Sequence, residues 1–352
     1  MAFVIVSVGT SLLTNSGWKR GQEIPSLQTA EKYLTQENTK EASAETNTIR
    51  MLPLNQGDFI KFLHSDTTEG KWCAQALQKF YTSLHYSCEL LSIEKLNYQT
   101  KNFSEGGLKS LLQVTFKAIR QAKDRNQEIK ICATGGFKAE IAFLNLIGLL
   151  MGIPVYYIHE SFKELIRFPS LPIDWNMQIV EENYNFFLWI DAKPRSQIEV
   201  GSWLKAIPGL GPLVISDNDG FTYLSAAGDL IFKAFRAKKG LSSIEWPPDS
   251  NVTPDQKVHL ENAAHHRPDG YLQFIDALAR EEYVSSIRYS GKGHKQKGET
   301  QIKIIEPDKG TLEIVFRRGD RALPILVETT ARGQEQTQMI IDNLKIRRFL
   351  ED

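Results

Sequence analysis

The chain has 352 residues, which is long enough for two or three domains. Its 42 lysines and arginines equal its 42 aspartates and glutamates, so overall charge does not draw it to nucleic acid, and any such binding must come from local patches. An apolar fraction of 41% is ordinary for a soluble globular protein. The three cysteines have no C-x-x-C spacing, which favours reduced core residues in a cytoplasmic protein over disulfides or metal ligands.

The apolar segments predict no membrane span. The longest one, residues 139–158, is interrupted by Glu140 and Asn145, and its helical part ends at Gly152. A span needs about 20 apolar residues without such breaks. The first eight residues are too short for a signal sequence. We therefore expect a cytoplasmic protein with no membrane partner.

In the first half of the chain, strand-like and helix-like segments alternate. The predicted strands are 2–8, 59–63, 88–96, 129–132 and 154–158. The predicted helices are 27–38, 70–86, 106–125 and 138–151. This alternation predicts an α/β domain with a parallel, Rossmann-like sheet.

Two glycine-containing turns follow two of these strands. Residues 9–11 (Gly-Thr-Ser) come directly after the first strand, and residues 134–138 (Thr-Gly-Gly-Phe-Lys) come after the strand 129–132. Ligands of open parallel sheets lie beyond the carboxyl ends of the strands. Glycine lets backbone amides approach an anion, and helix N-termini favour negative charge. We expect the two turns to lie side by side and to suit a phosphodiester ligand. Neither turn completes a P-loop or a dinucleotide fingerprint.

These turns belong to an ordered set of motifs. They are followed by Pro-Val-Tyr-Tyr-Ile-His-Glu at 154–160 and by Phe-Pro-Ser-Leu-Pro-Ile at 168–173. The set resembles the CARF domains of type III CRISPR systems over roughly the first 170 residues. The resemblance implies a sensor that binds cyclic oligoadenylate, most often the tetramer, across the two-fold axis of a homodimer. The ligand contacts that it implies are Gly9, Thr10, Ser11, Thr134, Gly135, Gly136 and Lys138.

Some CARF domains also cleave their own ligand. Here Ser11, together with Lys163 or Arg167, would position a ribose 2′-hydroxyl and offset charge on the phosphorus. The sequence leaves open whether the chain is such a ring nuclease.

Prolines at 169 and 172 end the α/β pattern. Beyond them we predict helices at 178–191 and 203–210, a hairpin at 213–224, and a helix that starts at the N-cap Ser225. This segment is similar to the connector of CARF proteins and is expected to be winged-helix-like. Besides the ring nuclease, a second alternative function is a transcription regulator in which this connector is a winged helix.

The last hundred residues predict an α+β domain. The expected order is helices 253–264 and 269–279, strands 283–289, 300–305, 311–316 and 323–329, and a closing helix 334–350. This order resembles the RelE family of messenger-RNA interferases. The predicted domains are a CARF domain at 1–172, a connector at 173–248 and a RelE-like ribonuclease at 249–352.

The resemblance to RelE implies particular catalytic residues. Arg332 follows the last strand, where the family has a catalytic arginine, and Lys303 resembles its central-strand lysine. Arg317 or Arg318 would supply a further arginine. The family often has a tyrosine near its C-terminus, but Gln338 stands there. Either the role of that tyrosine is absent here, or His294 or Tyr289 takes it, so the general base stays unassigned.

Lys303 belongs to a basic segment of the sequence. Residues 287–304 contain Arg288 and four lysines against the single acid Glu299, a patch that suits an RNA backbone. Arg288 and His294 also have the R-x-x-x-x-x-H spacing of HEPN ribonucleases. Two glycines between them disfavour the helix which that motif requires.

The chemistry expected of this domain needs no metal. The 2′-hydroxyl of RNA attacks the adjacent phosphorus, and lysine and arginine stabilise the negative charge that develops. The carboxylate and Glu-x-Lys pattern of a restriction-type nuclease is missing. We expect an endoribonuclease that cyclic oligoadenylate activates and that cleaves messenger RNA on the ribosome.

Overall fold

The computed structural model describes residues 1–19, 21–36, 42–96, 106–158, 164–168, 177–241, 244–260, 267–291 and 298–346. The chain forms two compact units. The first comprises residues 1–177 and 225–240, and the second comprises residues 178–224 and 241–352. The division into three domains that the sequence suggests stays a prediction.

The first unit contains a six-stranded sheet in the order β3-β2-β1-β4-β5-β6. Its strands are β1 (Ala2–Val8), β2 (Phe59–Ser65), β3 (Ser87–Ile93), β4 (Glu128–Cys132), β5 (Val155–Tyr157) and β6 (Ile166–Arg167). Strands β1 to β5 pair in parallel, and β6 pairs with β5 in the antiparallel sense. This order of parallel strands is that of a doubly wound sheet, so the predicted α/β class with a parallel sheet is confirmed.

Helices cover both faces of this sheet. They are α1 (Ser11–Asn15), α2 (Leu27–Gln36), α3 (Ala44–Met51), α4 (Thr68–Ser83), α5 (Leu108–Asp124), α6 (Lys138–Met151) and, later in the chain, α10 (Ala226–Lys239). The strand β1 is buried along its whole length because alternate side chains enter two different hydrophobic clusters. Phe3 and Ile5 pack with residues of α5 and α6, whereas Val4 and Val6 pack with residues of α4.

The helix α3 was not predicted from the sequence. It begins at Ser43, whose hydroxyl accepts the Thr46 amide at 3.1 Å, while the Thr46 hydroxyl accepts the Ser43 amide at 3.0 Å. This reciprocal cap satisfies two amides that the first turn of a helix leaves unpaired. The helix matters here because it carries Glu45.

The second unit contains two sheets, of three and five strands. Its helices are α7 (Gln178–Glu182), α8 (Tyr184–Ala192), α9 (Gln197–Ala206), α11 (Tyr271–Ala279) and α12 (Gly333–Ile346). A small sheet in the order β7-β9-β8 is formed by β7 (Arg195–Ser196), β8 (Val214–Ser216) and β9 (Phe221–Leu224). The predicted hairpin at 213–224 and the Ser225 cap are confirmed, since β8 pairs with β9 and Ser225 accepts the Gly228 amide at 3.1 Å.

A five-stranded sheet forms the rest of the second unit. Its strands are β10 (Val258–His259), β11 (Val284–Tyr289), β12 (Gln301–Glu306), β13 (Thr311–Arg318) and β14 (Arg321–Thr329), in the order β10-β11-β14-β13-β12. The last four strands confirm the predicted strands; β12, β13 and β14 form a meander, whereas β11 pairs with β14 and not with β12. Phe274 of α11 stacks on Phe316 with ring centroids 4.3 Å apart, so α11 covers the face that carries Phe316.

The predicted helix at 253–264 is wrong. A short 3-10 helix spans Pro254–Lys257, and the chain then enters β10, while residues 261–266 lie outside the described part. Val258 and His259 pair in parallel with β11. The hydrogen bonds of this pairing outweigh the weak helical preference of the segment. The RelE-like character of the domain and the winged-helix character of the connector stay predictions.

Candidate functional site

The two glycine-containing turns of the first unit lie against each other. Their strands, β1 and β4, are neighbours in register, with Val6 opposite Cys132. A Cβ atom built on Gly9 would lie 2.7 Å from the Gly136 nitrogen, and one built on Gly135 would lie 2.8 Å from the Gly9 nitrogen. Only glycine permits this approach. The predicted proximity is confirmed, and we call residues 9–11 and 134–138 the paired turns.

Side chains from both sides fix the second of these turns. The Ser7 hydroxyl, at the buried end of β1, donates to the carbonyl oxygen of Gly135 at 2.5 Å. The Thr134 hydroxyl lies 2.8 Å from that of Thr48 on α3. The turn is thus tied to the sheet on one side and to a helix on the other before any ligand is present.

The buried carboxylate of Glu45 holds the first turn. Its Oε1 accepts the Gly9 amide at 2.8 Å, and its Oε2 accepts the Ser11 hydroxyl at 3.2 Å. Glu45 is only 1% exposed, and a buried carboxylate requires such donors. The protein's own carboxylate thus takes the Gly9 amide, while the assignment of Gly9 and the other residues of the two turns as ligand contacts stays a prediction.

The paired turns thus have an inner and an outer layer. Gly135 is buried, and the Ser11 hydroxyl also accepts the Ala44 amide at 3.2 Å. The side chains of Thr10 and Lys138 are exposed, as is Gly136. The outer layer is therefore the part that faces solvent, and it contains one hydroxyl, one ammonium group and backbone.

A second buried carboxyl group lies beneath the second turn. Glu140 of α6 is 1% exposed, and its Oε2 accepts the Phe137 amide at 3.2 Å, whereas its Oε1 has no hydrogen-bond partner. The pKa of Glu140 is raised to about 8, mainly by burial; the Phe137 amide lowers this pKa and the negative charge of Glu45 raises it. Sequence reasoning missed both acids. The available signals were the Ser-Ala-Glu-Thr cap at 43–46 and the position of Glu140 three residues after the N-cap of α6.

A cavity of about 490 Å³ opens at the same edge of the sheet, next to the carboxyl end of β3. Its polar lining includes Lys95, Lys109, Ser92, Ser110 and the acid Glu94. The ammonium and hydroxyl groups suit phosphate oxygens, and the hydroxyl and carboxylate groups suit ribose hydroxyls.

In the second unit, several candidate residues share one face of the five-stranded sheet. The register aligns Lys303 of β12 with Glu313 of β13, and it aligns Glu313 with Leu326 of β14 and Leu326 with Arg288 of β11. Directly paired side chains point to the same face. Arg317 lies four residues after Glu313 on β13 and so shares that face. This face of the sheet is opposite the one that α11 covers.

Acidic groups offset much of the positive charge on this face. Arg288 forms an ion pair with Glu328, and Lys303 is exposed but lies across from the buried Glu313. The buried Arg317 donates from Nη1 to the carbonyl oxygen of Glu299 at 2.5 Å, which fastens the start of β12. The described part of the face is thus mildly basic. Five residues that the sequence analysis singled out lie outside the described part of the chain: Lys163, Lys292, His294, Lys295 and Lys297.

Arg332 and Arg318 lie at opposite ends of the β13–β14 hairpin. Arg318 pairs with Arg321 at its tip, and Thr311 pairs with Glu328 at the far end, seven residues or roughly 23 Å away. Arg332 follows that far end, and its exposed guanidinium donates to the carbonyl oxygens of Ala331 at 2.6 Å and Thr329 at 3.2 Å. These two arginines are too far apart to contact the same phosphate group.

The described residues contain neither a candidate metal site nor a candidate membrane span. Within the described ranges, no group of three or more histidine, cysteine, aspartate or glutamate residues is placed to hold a metal ion. No helix in those same ranges is both long enough and apolar enough to cross a membrane.

Comparison with known proteins gives a partial match. Residues 40–171 match the family described as "CRISPR-associated protein (Cas_APE2256)". This match supports a CRISPR-associated protein. The matched segment includes Glu45, the second of the paired turns and Glu140, but not residues 9–11.

One solved structure is also similar to the chain. The crystal structure of protein VC1899 from Vibrio cholerae is 8% identical, over 94% of this chain and 77% of that chain, with a TM-score of 0.29. A similarity at this level carries no argument about fold or function.

Proposed function

We propose that the protein is an ancillary ribonuclease of a type III CRISPR system. Cyclic oligoadenylate, with cyclic tetra-adenylate as the expected ring, binds at the paired turns across a homodimer and activates cleavage of messenger RNA on the ribosome. The observation that carries this proposal is the contact between the two glycine turns, one of which lies in the segment that matches a CRISPR-associated family.

The two layers of the paired turns suit an anionic ring. Glu45 holds the inner layer in place, so the ring meets the outer one. Lys138 is exposed at the first position of α6, where its charge adds to the positive end of the helix dipole. The Thr10 hydroxyl is exposed beside it on the neighbouring turn. We assign the ring phosphates to these groups, and riboses or bases to the cavity beside β3.

The effector chemistry uses lysine and arginine. The 2′-hydroxyl of the RNA attacks the adjacent phosphorus, the bond from phosphorus to the 5′-oxygen breaks, and a 2′,3′-cyclic phosphate forms. Lys303 and Arg288 lie in one row of the sheet and are both exposed, as a backbone-binding surface requires. The Arg332 guanidinium donates to the carbonyl oxygen of Thr329, three residues beyond Leu326 of that row, whereas Arg318 lies five residues beyond Glu313 in the other direction; we therefore assign Arg332 to the developing negative charge. Arg318, at the other end, is assigned to RNA positioning.

A cell-free translation reaction tests this proposal. We expect messenger cleavage when the protein and cyclic tetra-adenylate are both present, unchanged by EDTA at concentrations that leave ribosomes intact. Replacing Lys303 or Arg332 with alanine should abolish the cleavage. Cyclic hexa-adenylate is the control for ring size. Intact messenger at saturating ligand, or cleavage that survives both substitutions, would contradict the proposed effector.

A further inference from the structure

Two buried carboxyl groups enclose the second of the paired turns. The Glu45 carboxylate lies against Gly135, and the Glu140 carboxyl lies against Gly136, so that a Cβ atom at either glycine would collide with it. Each acid is only 1% exposed. The acids come from different helices, α3 and α6, and the turn passes between them.

The carboxyl groups of the two acids differ in the number of hydrogen bonds that they accept. Glu45 accepts hydrogen bonds from an amide and a hydroxyl, which stabilise its negative charge. Glu140 receives one amide, from Phe137, and its second oxygen is buried with no partner. Burying an unsatisfied charge costs free energy that protonation removes. Glu140 is therefore the member of the pair that holds a proton.

We propose that Glu140 couples the binding of an anionic ligand at the paired turns to proton uptake by those molecules in which Glu140 is ionised, a fraction that grows as pH rises above neutral. This inference rests on the proposed function, because it takes the anionic ring as ligand. The ring adds negative charge on the outer side of the turn while Glu140 lies on its inner side. The ionised carboxylate then takes a proton from the buffer, and no bond in the ligand changes. The sensor consequently binds its ligand more tightly at neutral pH than at alkaline pH.

The charged groups around Glu140 support this assignment. Glu45, on α3, is the neighbour whose charge raises the pKa of Glu140. On α6 itself, Lys138 is exposed to solvent. On α10, which packs against α6, Asp229 is paired with Lys233. On β4, Lys130 is paired with Glu128 at the opposite end of the strand. The inner side of the turn is thus dominated by the two acids.

Isothermal titration calorimetry of the full chain with cyclic tetra-adenylate tests the coupling. Titrations at pH 7, 8 and 9, each in two buffers of different ionisation enthalpy, give both affinity and protons exchanged. The pKa of Glu140 is about 8 in the folded protein without ligand. We therefore expect the affinity for the ligand to fall about tenfold from pH 7 to pH 9. Proton uptake should grow over the same interval. The phosphodiesters and adenines of the ligand do not titrate there.

Two variants isolate the responsible group. Glu140→Gln should bind at pH 7 as the native protein does and should lose both the pH dependence and the proton uptake. Glu128→Gln, a largely exposed acid at the far end of β4, should keep both. If Glu140→Gln does not fold, the native protein's proton count still tests whether binding is coupled to proton uptake in the interval that the pKa of Glu140 predicts. Binding with equal affinity at pH 7 and pH 9 and no proton uptake would overturn the coupling alone, whereas no binding at any pH would overturn the sensor and the coupling together.

Discussion

The Glu45 carboxylate accepts the backbone amide of Gly9 at 2.8 Å and thereby joins helix α3 to the end of the first strand. The same carboxylate accepts the Ser11 hydroxyl and lies against Gly135. One side chain thus touches both of the paired turns. The position of these turns depends on a residue that is itself shielded from solvent.

Removing this carboxylate should weaken both stability and ligand binding. Glu45→Ala leaves the Gly9 amide and the Ser11 hydroxyl without their acceptor, which costs about 1–3 kcal/mol for an unsatisfied buried group. We expect the free energy of unfolding to fall by that amount and cyclic tetra-adenylate affinity to fall at least tenfold. Urea denaturation and calorimetry measure the two effects. Glu31→Gln, which breaks an exposed ion pair with Lys79, is the control and should change stability by less than about 1 kcal/mol. Equal effects from the two variants would contradict the role of Glu45.

The close approach of the turns makes a second prediction. In Gly135→Ala, the new methyl group meets both Glu45 and the Gly9 nitrogen, so the turns must separate. We expect a lower melting temperature and loss of ligand binding. Gly201→Ala is the matched control, because nothing lies within 4 Å of its Cβ position in α9. That variant should be more stable by about 0.5–1 kcal/mol, since alanine favours a helix. Full ligand affinity in Gly135→Ala would show that the turns do not form the site.

The buried Glu140 predicts how stability depends on pH. Its pKa is raised from about 4.5 to about 8 on folding, so the folded state holds a proton that the unfolded state releases. This contribution is complete below about pH 4.5 and is lost as pH rises to about 8, at about 1.4 kcal/mol per pH unit. Chemical denaturation at pH 6, 7 and 8 should show the decline in the native protein and a flatter profile in Glu140→Gln. Parallel profiles would contradict the burial of an ionisable group at this position.

The first unit was largely predictable because its sequence pattern is local. Strand β1 is a mostly apolar run followed directly by Gly9, β4 is a short segment rich in isoleucine with Gly135 three residues beyond its end, and α6 was predicted with its observed bounds, Lys138–Met151. Parallel pairing then places the turns together. The two acids were not predicted, because their burial follows from packing between α3, α6 and the turns, which no local pattern encodes.

The second unit shows where local patterns are insufficient. The four strands at 283–329 were predicted from local patterns, but the helix predicted at 253–264 is wrong, because Val258 and His259 pair with β11 instead. Likewise, the sequence groups Arg318 with Arg332 as candidate catalytic residues, and only the register shows that a hairpin of roughly 23 Å separates them.

This separation predicts unequal effects of the two arginines. We expect Arg332→Ala to reduce messenger cleavage about 100-fold or more, the usual cost of losing one donor to the developing charge. Arg318→Ala should weaken RNA binding with a much smaller effect on the cleavage step at saturating RNA. Arg280→Ala, which removes an exposed arginine paired with Asp276, is the control and should leave both unchanged. Single-turnover cleavage of ribosome-bound messenger separates binding from chemistry. An equal loss of the cleavage step in Arg318→Ala and Arg332→Ala would contradict the assignment.

The central claim is that a ligand on the first unit controls chemistry in the second, and the rate of messenger cleavage as a function of cyclic tetra-adenylate concentration tests it most directly. We predict a saturable increase for the native protein. For Lys138→Ala the same maximal rate should be reached only at a higher ligand concentration, because we assign its exposed ammonium group to the ring and not to the messenger. A cleavage rate that is the same with and without the ring would contradict the account.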